Sequence, residues 1–112
     1  MFETIEKDKI LGLHYKIVDV TVAGMHWVNG YVGVTKESPY FGLDYYDENI
    51  TPTQKIINDI NVHGGLTFAG TFNDEKDIWY FGFDTNHYDD DATVQNRDYV
   101  FSQIKKLAKQ LK

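Results

Sequence analysis

The last part of the chain carries an amphipathic pattern that limits what the whole sequence can fold into. From about Arg97 the apolar residues recur every three or four positions, which predicts a helix with one apolar stripe. Asn96 can cap its first turn, and Asp98 complements the positive end of the helix. Because such a stripe must be buried, the rest of the chain must supply an apolar surface. The stripe consists of Val100, Phe101, Ile104, Leu107, Ala108 and Leu111.

Four alternating segments are predicted to supply that surface as strands. Residues 14–23 and 26–35 alternate in polarity on either side of a turn at Gly24, which predicts a hairpin. Residues 61–72, entered through Gly64 and Gly65, and residues 78–86 form a second pair. The sequence therefore predicts an α+β fold with one domain over residues 1–112. Its antiparallel sheet has about four strands, and the C-terminal amphipathic helix packs on one face.

Strand alternation also predicts which side chains share a face. The face toward the helix is predicted to carry Val28, Val32, Val34, Val62, Leu66, Phe68, Trp79, Phe81 and Phe83. The opposite face is predicted to carry Trp27, Asn29, Tyr31, Gly33, His63, Gly65, Thr67, Tyr80, Gly82 and Asp84. The first face is a core, and the second is a surface of rings and glycines.

Three other segments are less constrained by pattern. Residues 1–12 mix charged and apolar side chains and fit either a short helix or an edge strand. The loop that follows the first hairpin is rich in tyrosine between residues 40 and 46, so we expect it to pack over the sheet. Residues 53–60 are predicted to form a short helix with Thr51 or Thr53 as its N-cap.

Composition excludes several classes of protein. The sequence has 112 residues, a net charge of −6 and no cysteine, which excludes disulfides, thiolate metal sites and cysteine nucleophiles. Its acidity argues against binding to duplex nucleic acid, which depends on lysine and arginine. No apolar run approaches the roughly 18 residues of a membrane span, and the charged start differs from a signal peptide. We therefore expect a cytoplasmic protein.

The ring-and-glycine face is the first candidate for a ligand site. Aromatic faces stack on flat rings, and glycines let such a ligand approach the backbone. Two alternatives remain open: the tyrosine-rich loop packs on these rings as a second small core, or the face is a protein interface. The predicted ligand-binding residues are Trp27, Tyr31, His63, Gly64, Gly65, Thr67, Tyr80, Asp84 and His87.

Histidines in the same region give a second candidate. His63, His87 and Asp84 are the candidate catalytic residues, because imidazole titrates near neutral pH and a neighbouring carboxylate can orient it. A metal-binding trio of His26, His63 and His87 is a further possibility, but no paired spacing such as HExxH occurs. We therefore assign no metal and no other cofactor. Structural histidines bonded to the backbone are the alternative.

Two nearby features have plain structural explanations. The Gly64–Gly65 pair fits a turn or bulge with positive φ, and an anion-binding nest of backbone N–H groups is the alternative. The acidic run from Asp89 to Asp91 lacks the spacing of an EF-hand, so it is predicted to be a solvated loop.

An ordered series of motifs resembles an uncharacterised family of short phage and prophage proteins. The matching segments are GMHWVNGYVGV, SPYFGLDYY, NVHGGLTFAG, WYFGFDTNHYDDD and RDYVFSQIKKLAKQL, which together cover roughly residues 24–112. The chain departs from the family at Thr85-Asn86-His87, where relatives often have Cys-Ala-His. The resemblance implies a phage accessory protein acting in the cytoplasm of an infected or lysogenic bacterium. It implies no particular activity for these residues.

Three functions follow as hypotheses. The first is a counter-defence protein that binds a small nucleotide-like ligand on the ring-and-glycine face and so interferes with host signalling. The second is an acidic inhibitor that binds a host nucleic-acid enzyme by imitating phosphates. The third is a small phosphohydrolase that uses His63, His87 and Asp84. An exposed aromatic face also predicts a homodimer.

Overall fold

Five strands and two helices make up the fold of the part of the chain that the structure describes. The computed structural model describes residues 1–87, 90–92 and 94–112. The strands are β1 (Phe2–Ile10), β2 (Leu13–Val22), β3 (Met25–Val34), β4 (Phe68–Phe72) and β5 (Glu75–Asp84). The helices are α1 (Pro52–Asn58) and α2 (Arg97–Leu111).

The strands form one antiparallel sheet in the order β1-β2-β3-β5-β4. Three tight hairpins join sequence neighbours, and the pairing of β3 with β5 links the two halves by placing Asn29 opposite Asp84 and Val34 opposite Trp79. The predicted α+β fold is confirmed, but the sheet has five strands instead of about four. The additional strand is β1, so the edge-strand alternative for the first twelve residues is correct.

The helix-facing side of the sheet carries the larger core. Both helices begin at the predicted caps, because the side chains of Thr51 and Asn96 accept hydrogen bonds from N–H groups in the first turns. The tyrosine-rich loop also packs on this side, where the Trp79 indole donates to the Leu43 carbonyl over 2.8 Å. The buried residues are Tyr15, Ile17, Val28, Val32, Val34, Ile57, Val62, Phe81, Phe83, Val100, Ile104, Leu107, Ala108 and Leu111.

The opposite side of the sheet carries a second, smaller core of aromatic residues, which we call the ring core. Tyr31 makes edge-on contacts with Phe68 and Phe72 at centroid distances of 5.4 and 5.2 Å, and Tyr80 is completely buried. Side chains from four strands therefore cover this face. The ring core comprises Val18, Val20, Tyr31 and Tyr80, with Trp27, Phe68, Phe72 and Ile78 packed against them.

On this side of the sheet one open alternative is excluded and one predicted face is wrong. The tyrosine-rich loop does not cover the rings, because it packs on the helix-facing core. Phe68 belongs to the ring core although Leu66 packs on the other side. The reason is that β4 begins only at Phe68, so the turn at Gly64 and Gly65 interrupts the strand alternation predicted from residue 61 onward.

A charged pair is buried at the edge of the ring core. Lys16 is only 5% exposed, and its ammonium lies 4.1 Å from the centroid of the Phe72 ring and forms an ion pair with Glu75. Glu75 also pairs with Lys7 at 3.1 Å and accepts a hydrogen bond from the Tyr80 hydroxyl at 3.2 Å. Burial, followed by the negative charge of Glu75, raises the pKa of Tyr80, which keeps that hydroxyl a donor.

A second charged contact ties the first strand to the last helix. Arg97 donates through two guanidinium nitrogens to Glu6, which also accepts from the Tyr15 hydroxyl. Glu6 lies directly after an irregularity in the β1–β2 pairing between Thr4 and Glu6.

Neither helix within the described residues has the length and apolarity that a bilayer crossing requires.

Candidate functional site

Polar side chains from three parts of the chain meet where β5 ends and α2 begins. His63 precedes the glycine turn before β4, Asp84 is the last residue of β5, and Tyr99 lies in the first turn of α2. His87 and Asp90 belong to the connection between β5 and α2. We call these five residues, His63, Asp84, His87, Asp90 and Tyr99, the histidine site.

His63 is held at both nitrogens of its ring. Nδ1 lies 2.7 Å from the Tyr99 hydroxyl, and Nε2 lies 2.7 Å from Oδ1 of Asp90. The backbone N–H of His63 donates to the side chain of Gln103 over 3.0 Å. A neutral imidazole beside a carboxylate carries its proton on the nitrogen that faces the carboxylate, so Nδ1 is left to accept from Tyr99.

Asp90 is the carboxylate at the centre of this arrangement. Its side chain is 7% exposed, and its second oxygen accepts from the backbone N–H of His87 over 3.0 Å. Partial burial is the largest single influence and opposes ionisation, but the hydrogen bonds from His63 and from the His87 backbone together lower the pKa of Asp90. The prediction of a solvated loop is therefore wrong at Asp90, while Asp89 lies outside the described residues.

His87 and Asp84 form the more exposed half of the site. Their side chains are 36% and 27% exposed, and Nε2 of His87 lies 3.0 Å from the Asp84 carbonyl oxygen and 3.3 Å from its Oδ1. Asp84 also accepts from the Thr67 hydroxyl at 3.1 Å and from the Asn86 backbone at 3.0 Å. Because a carbonyl oxygen can only accept, Nε2 of His87 is the donor in its contact with Asp84.

The glycine pair shapes the floor under His87. Gly64 and Gly65 have φ angles of 67° and 79°, and the N–H of Gly65 donates to the Val62 carbonyl over 2.8 Å, as in the predicted turn. A Cβ on Gly64 would overlap the His87 ring, whereas a Cβ on Gly65 would meet open space. The backbone of the turn therefore requires glycine at both positions, and the packing of His87 is a second reason for glycine at position 64.

Alanine substitutions at the two glycines are expected to separate these requirements. Gly65→Ala should cost about 1–2 kcal/mol of stability, because an L-residue is placed in the left-handed region. Gly64→Ala should cost about 1 kcal/mol more and displace His87, because the new Cβ overlaps its ring. Urea denaturation gives the costs, and NMR resonances of the imidazoles report the displacement. Equal costs and an unshifted His87 resonance would contradict the contact.

The structure divides the predicted ligand-binding residues into two groups. His63, Gly64, Gly65, Thr67, Asp84 and His87 lie together at the histidine site. Trp27, Tyr31 and Tyr80 lie in the ring core. The glycine gaps on that face are filled by the chain itself, because the Tyr31 ring lies over Gly82 and the Tyr80 ring lies against Gly33.

Two observations narrow the search for further polar sites. His26 pairs with Asp19 at 3.1 Å, so the trio of His26, His63 and His87 is not assembled. A surface depression of about 340 Å³ lies at the opposite end of β5 from the histidine site. None of the residues that line it is a histidine. It is lined by Thr35, Lys36, Glu37, Asp77 and Ile78.

Three residues that hold His63 in place were not predicted from the sequence: Asp90, Tyr99 and Gln103. Tyr99 and Gln103 are four residues apart on α2 and therefore share a helix face, which is a signal that the sequence does contain. The three-residue spacing of His87 and Asp90 is also typical of a side chain that caps a nearby backbone N–H. Among the described residues, His63, His87 and Asp90 each offer a possible metal-ligand atom, and these atoms lie within 4.8 Å of one another.

Comparison with known proteins adds no homologue. The chain matches no protein-family model, no curated protein and no solved structure. The resemblance to phage proteins therefore stays a prediction.

Proposed function

We propose that the protein is a small hydrolase that acts on a phosphorylated, nucleotide-like molecule at the histidine site. The observation that carries this proposal is the chain of hydrogen bonds from Tyr99 through His63 to Asp90, with both distances at 2.7 Å. A base that bonds to a hydroxyl on one side and to an orienting carboxylate on the other is a recurring arrangement in hydrolytic sites.

Each residue has a distinct proposed role. Asp90 fixes the orientation and tautomer of His63, which can then accept the Tyr99 proton and increase the reactivity of that oxygen. His87 and Asp84 are partly exposed, so a substrate can approach them from solvent. Because the carboxylates of Asp84 and Asp90 repel phosphate, a positive charge must accompany the substrate.

Turnover by two histidine variants tests the proposal. A panel of nucleoside mono-, di- and cyclic phosphates is incubated with the protein, and the products are identified by mass spectrometry. His63→Ala is expected to reduce turnover by about 100-fold or more, because acid–base residues contribute about 10²–10⁴ to the rate. His26→Ala is the matched control, since it removes a histidine that pairs with Asp19.

Two results would count against hydrolysis. Every compound of the panel recovered intact after long incubation would show that the site does not perform the reaction. Equal turnover by the two variants, with circular dichroism showing both folded, would show that His63 has no part in it.

Capture of a nucleotide-like ligand without turnover is the second candidate, and one atom favours it. Oδ1 of Asn29 is buried without a hydrogen-bond partner among the described residues, while its amide nitrogen donates to the Tyr31 hydroxyl over 3.1 Å. A buried polar atom without a partner needs a water, an ion or a ligand group to satisfy it. Capture predicts that intact ligand copurifies with the protein, changes Trp27 fluorescence, and binds more weakly to Asn29→Leu.

A further inference from the structure

The side chains around His63 match the requirements of a metal centre more closely than the sequence spacing indicated. His63, His87 and Asp90 each present a ligand atom, and all three atoms lie within 4.8 Å of one another. Bonds of about 2.0 Å in a tetrahedral site place ligand atoms about 3.3 Å apart. The present distance of 2.7 Å between Nε2 of His63 and Oδ1 of Asp90 would have to open slightly, and any separation close to the 4.8 Å limit would have to shorten. Small rotations of the side chains can achieve both changes.

The surroundings of His63 supply the outer hydrogen bond that metal-bound histidines normally have. Tyr99 holds Nδ1 at 2.7 Å, which aims Nε2 at Asp90 and toward the centre of the cluster. His87 is held in a similar way, because its Nε2 bonds to the Asp84 carbonyl and its ring packs against Gly64. Both rings are therefore oriented before any ion binds.

The type of ligand restricts the type of ion. Without cysteine the site offers two imidazole nitrogens and one carboxylate, a set that suits Zn²⁺ and other first-row divalent ions better than Mg²⁺ or Ca²⁺. Three protein ligands leave at least one coordination position for water or a substrate oxygen. The nearby carboxylate of Asp84, 3.3 Å from His87, adds negative charge that favours a cation.

We propose that His63, His87 and Asp90 bind one first-row divalent cation, with Zn²⁺ the best match. The ion takes the place of the proton between His63 and Asp90, and His63 then donates from Nδ1 to the Tyr99 hydroxyl. With the ion bound, His63 is therefore a ligand and no longer the base for Tyr99, and the ion instead activates a water in its open coordination position. Bound there, the ion supplies the positive charge that a phosphorylated substrate needs beside two carboxylates. That role in the reaction rests on the proposed hydrolase function, whereas binding of the ion does not.

Titration of the metal-free protein with Zn²⁺ tests the site directly. The full chain is dialysed against a chelator and titrated in a calorimeter, and Co²⁺ is then added as a probe whose visible absorption reports its coordination. We expect one ion per chain. Tyr99→Phe removes an outer hydrogen-bond partner of a ligand and should weaken Zn²⁺ binding by roughly 10- to 100-fold. His63→Ala and His87→Ala each remove a ligand and should weaken binding by more than that.

His26→Ala is the matched control and should bind Zn²⁺ as the parent does, because His26 pairs with Asp19. Circular dichroism shows whether each variant is folded, and the partly exposed His87 serves if His63→Ala does not fold. Unchanged Zn²⁺ affinity in folded His87→Ala would overturn the proposal, as would an absence of binding to the folded parent chain.

The same samples separate this proposal from the hydrolase. Zn²⁺ binding that depends on both histidines, without release of any product from the phosphate panel, supports the metal site and contradicts the hydrolase function. Turnover that persists in chelator, by a protein that binds no Zn²⁺, overturns the metal site and leaves the hydrolase.

Discussion

Replacing Tyr80 with alanine is expected to lower the free energy of unfolding by about 3–5 kcal/mol, the cost of removing a large aromatic side chain from a core. Tyr80 is completely buried, contacts Phe72 at a centroid distance of 5.0 Å, and donates to Glu75. The substitution leaves a cavity and removes a hydrogen bond from a partly buried carboxylate. A loss of this size is a large part of the stability of an ordinary domain.

Tyr46→Ala is the matched control for this experiment. Tyr46 is 58% exposed, so its replacement should change stability by no more than about 0.5 kcal/mol. Urea denaturation of the two variants gives both values. A small cost at Tyr80, combined with loss of ligand binding, would show instead that the ring core is an open binding platform.

Replacing Lys16 with methionine is expected to cost about 3 kcal/mol at neutral pH. Methionine keeps much of the apolar stem of Lys16, but it removes the ammonium that lies over the Phe72 ring. Glu75 is then left with Lys7 as its remaining cationic partner. Removing one member of a buried ion pair is costly because the other charge stays desolvated. Lys36→Met is the control, since Lys36 and its partner Asp77 are 65% and 82% exposed and should lose little.

The difference in the free energy of unfolding between Lys16→Met and the parent should become smaller in acid. Burial is the strongest influence on Glu75 and raises its pKa, but the bonds from Lys16 and Lys7 together hold that pKa below the ordinary 4.5. A lowered folded-state pKa contributes stability above the ordinary value, and this contribution is lost as the pH falls through the folded value. Urea denaturation at pH 7 and near pH 3 checks the sign. A difference that widens in acid would contradict the assigned ion pair.

The parts of the fold predicted correctly are those specified by local signals. The periodicity of α2, its cap at Asn96 and the cap of α1 at Thr51 all depend on residues within one or two turns. β1 remained ambiguous because most of its side chains are exposed on both faces, so no alternation distinguishes a strand from a helix. The predicted sheet face of Phe68 was wrong because the positive φ angles of Gly64 and Gly65 interrupt the strand alternation.

The candidate site was only half predictable for a similar reason. His63, Asp84 and His87 could be named because they fall beside predicted strands and carry chemistry that stands out by residue type. Asp90 could not, because an irregular connection brings it back onto His63 and no periodicity describes such a connection. Tyr99 was missed because a tyrosine on the polar side of a helix usually faces solvent.

The pairing of β3 with β5 also bears on how the histidine site is assembled as the chain folds. This pairing crosses from residue 29 to residue 84, and the contact between Glu6 and Arg97 spans 91 positions. Because long loops must close before such contacts form, we expect folding to be slow for a chain of this size. Tyr99 reaches His63 from α2, so their contact requires α2 to lie in its place against the sheet. A chain in which α2 has not yet packed against the sheet therefore lacks the contact between Tyr99 and His63, and its histidine site is incomplete.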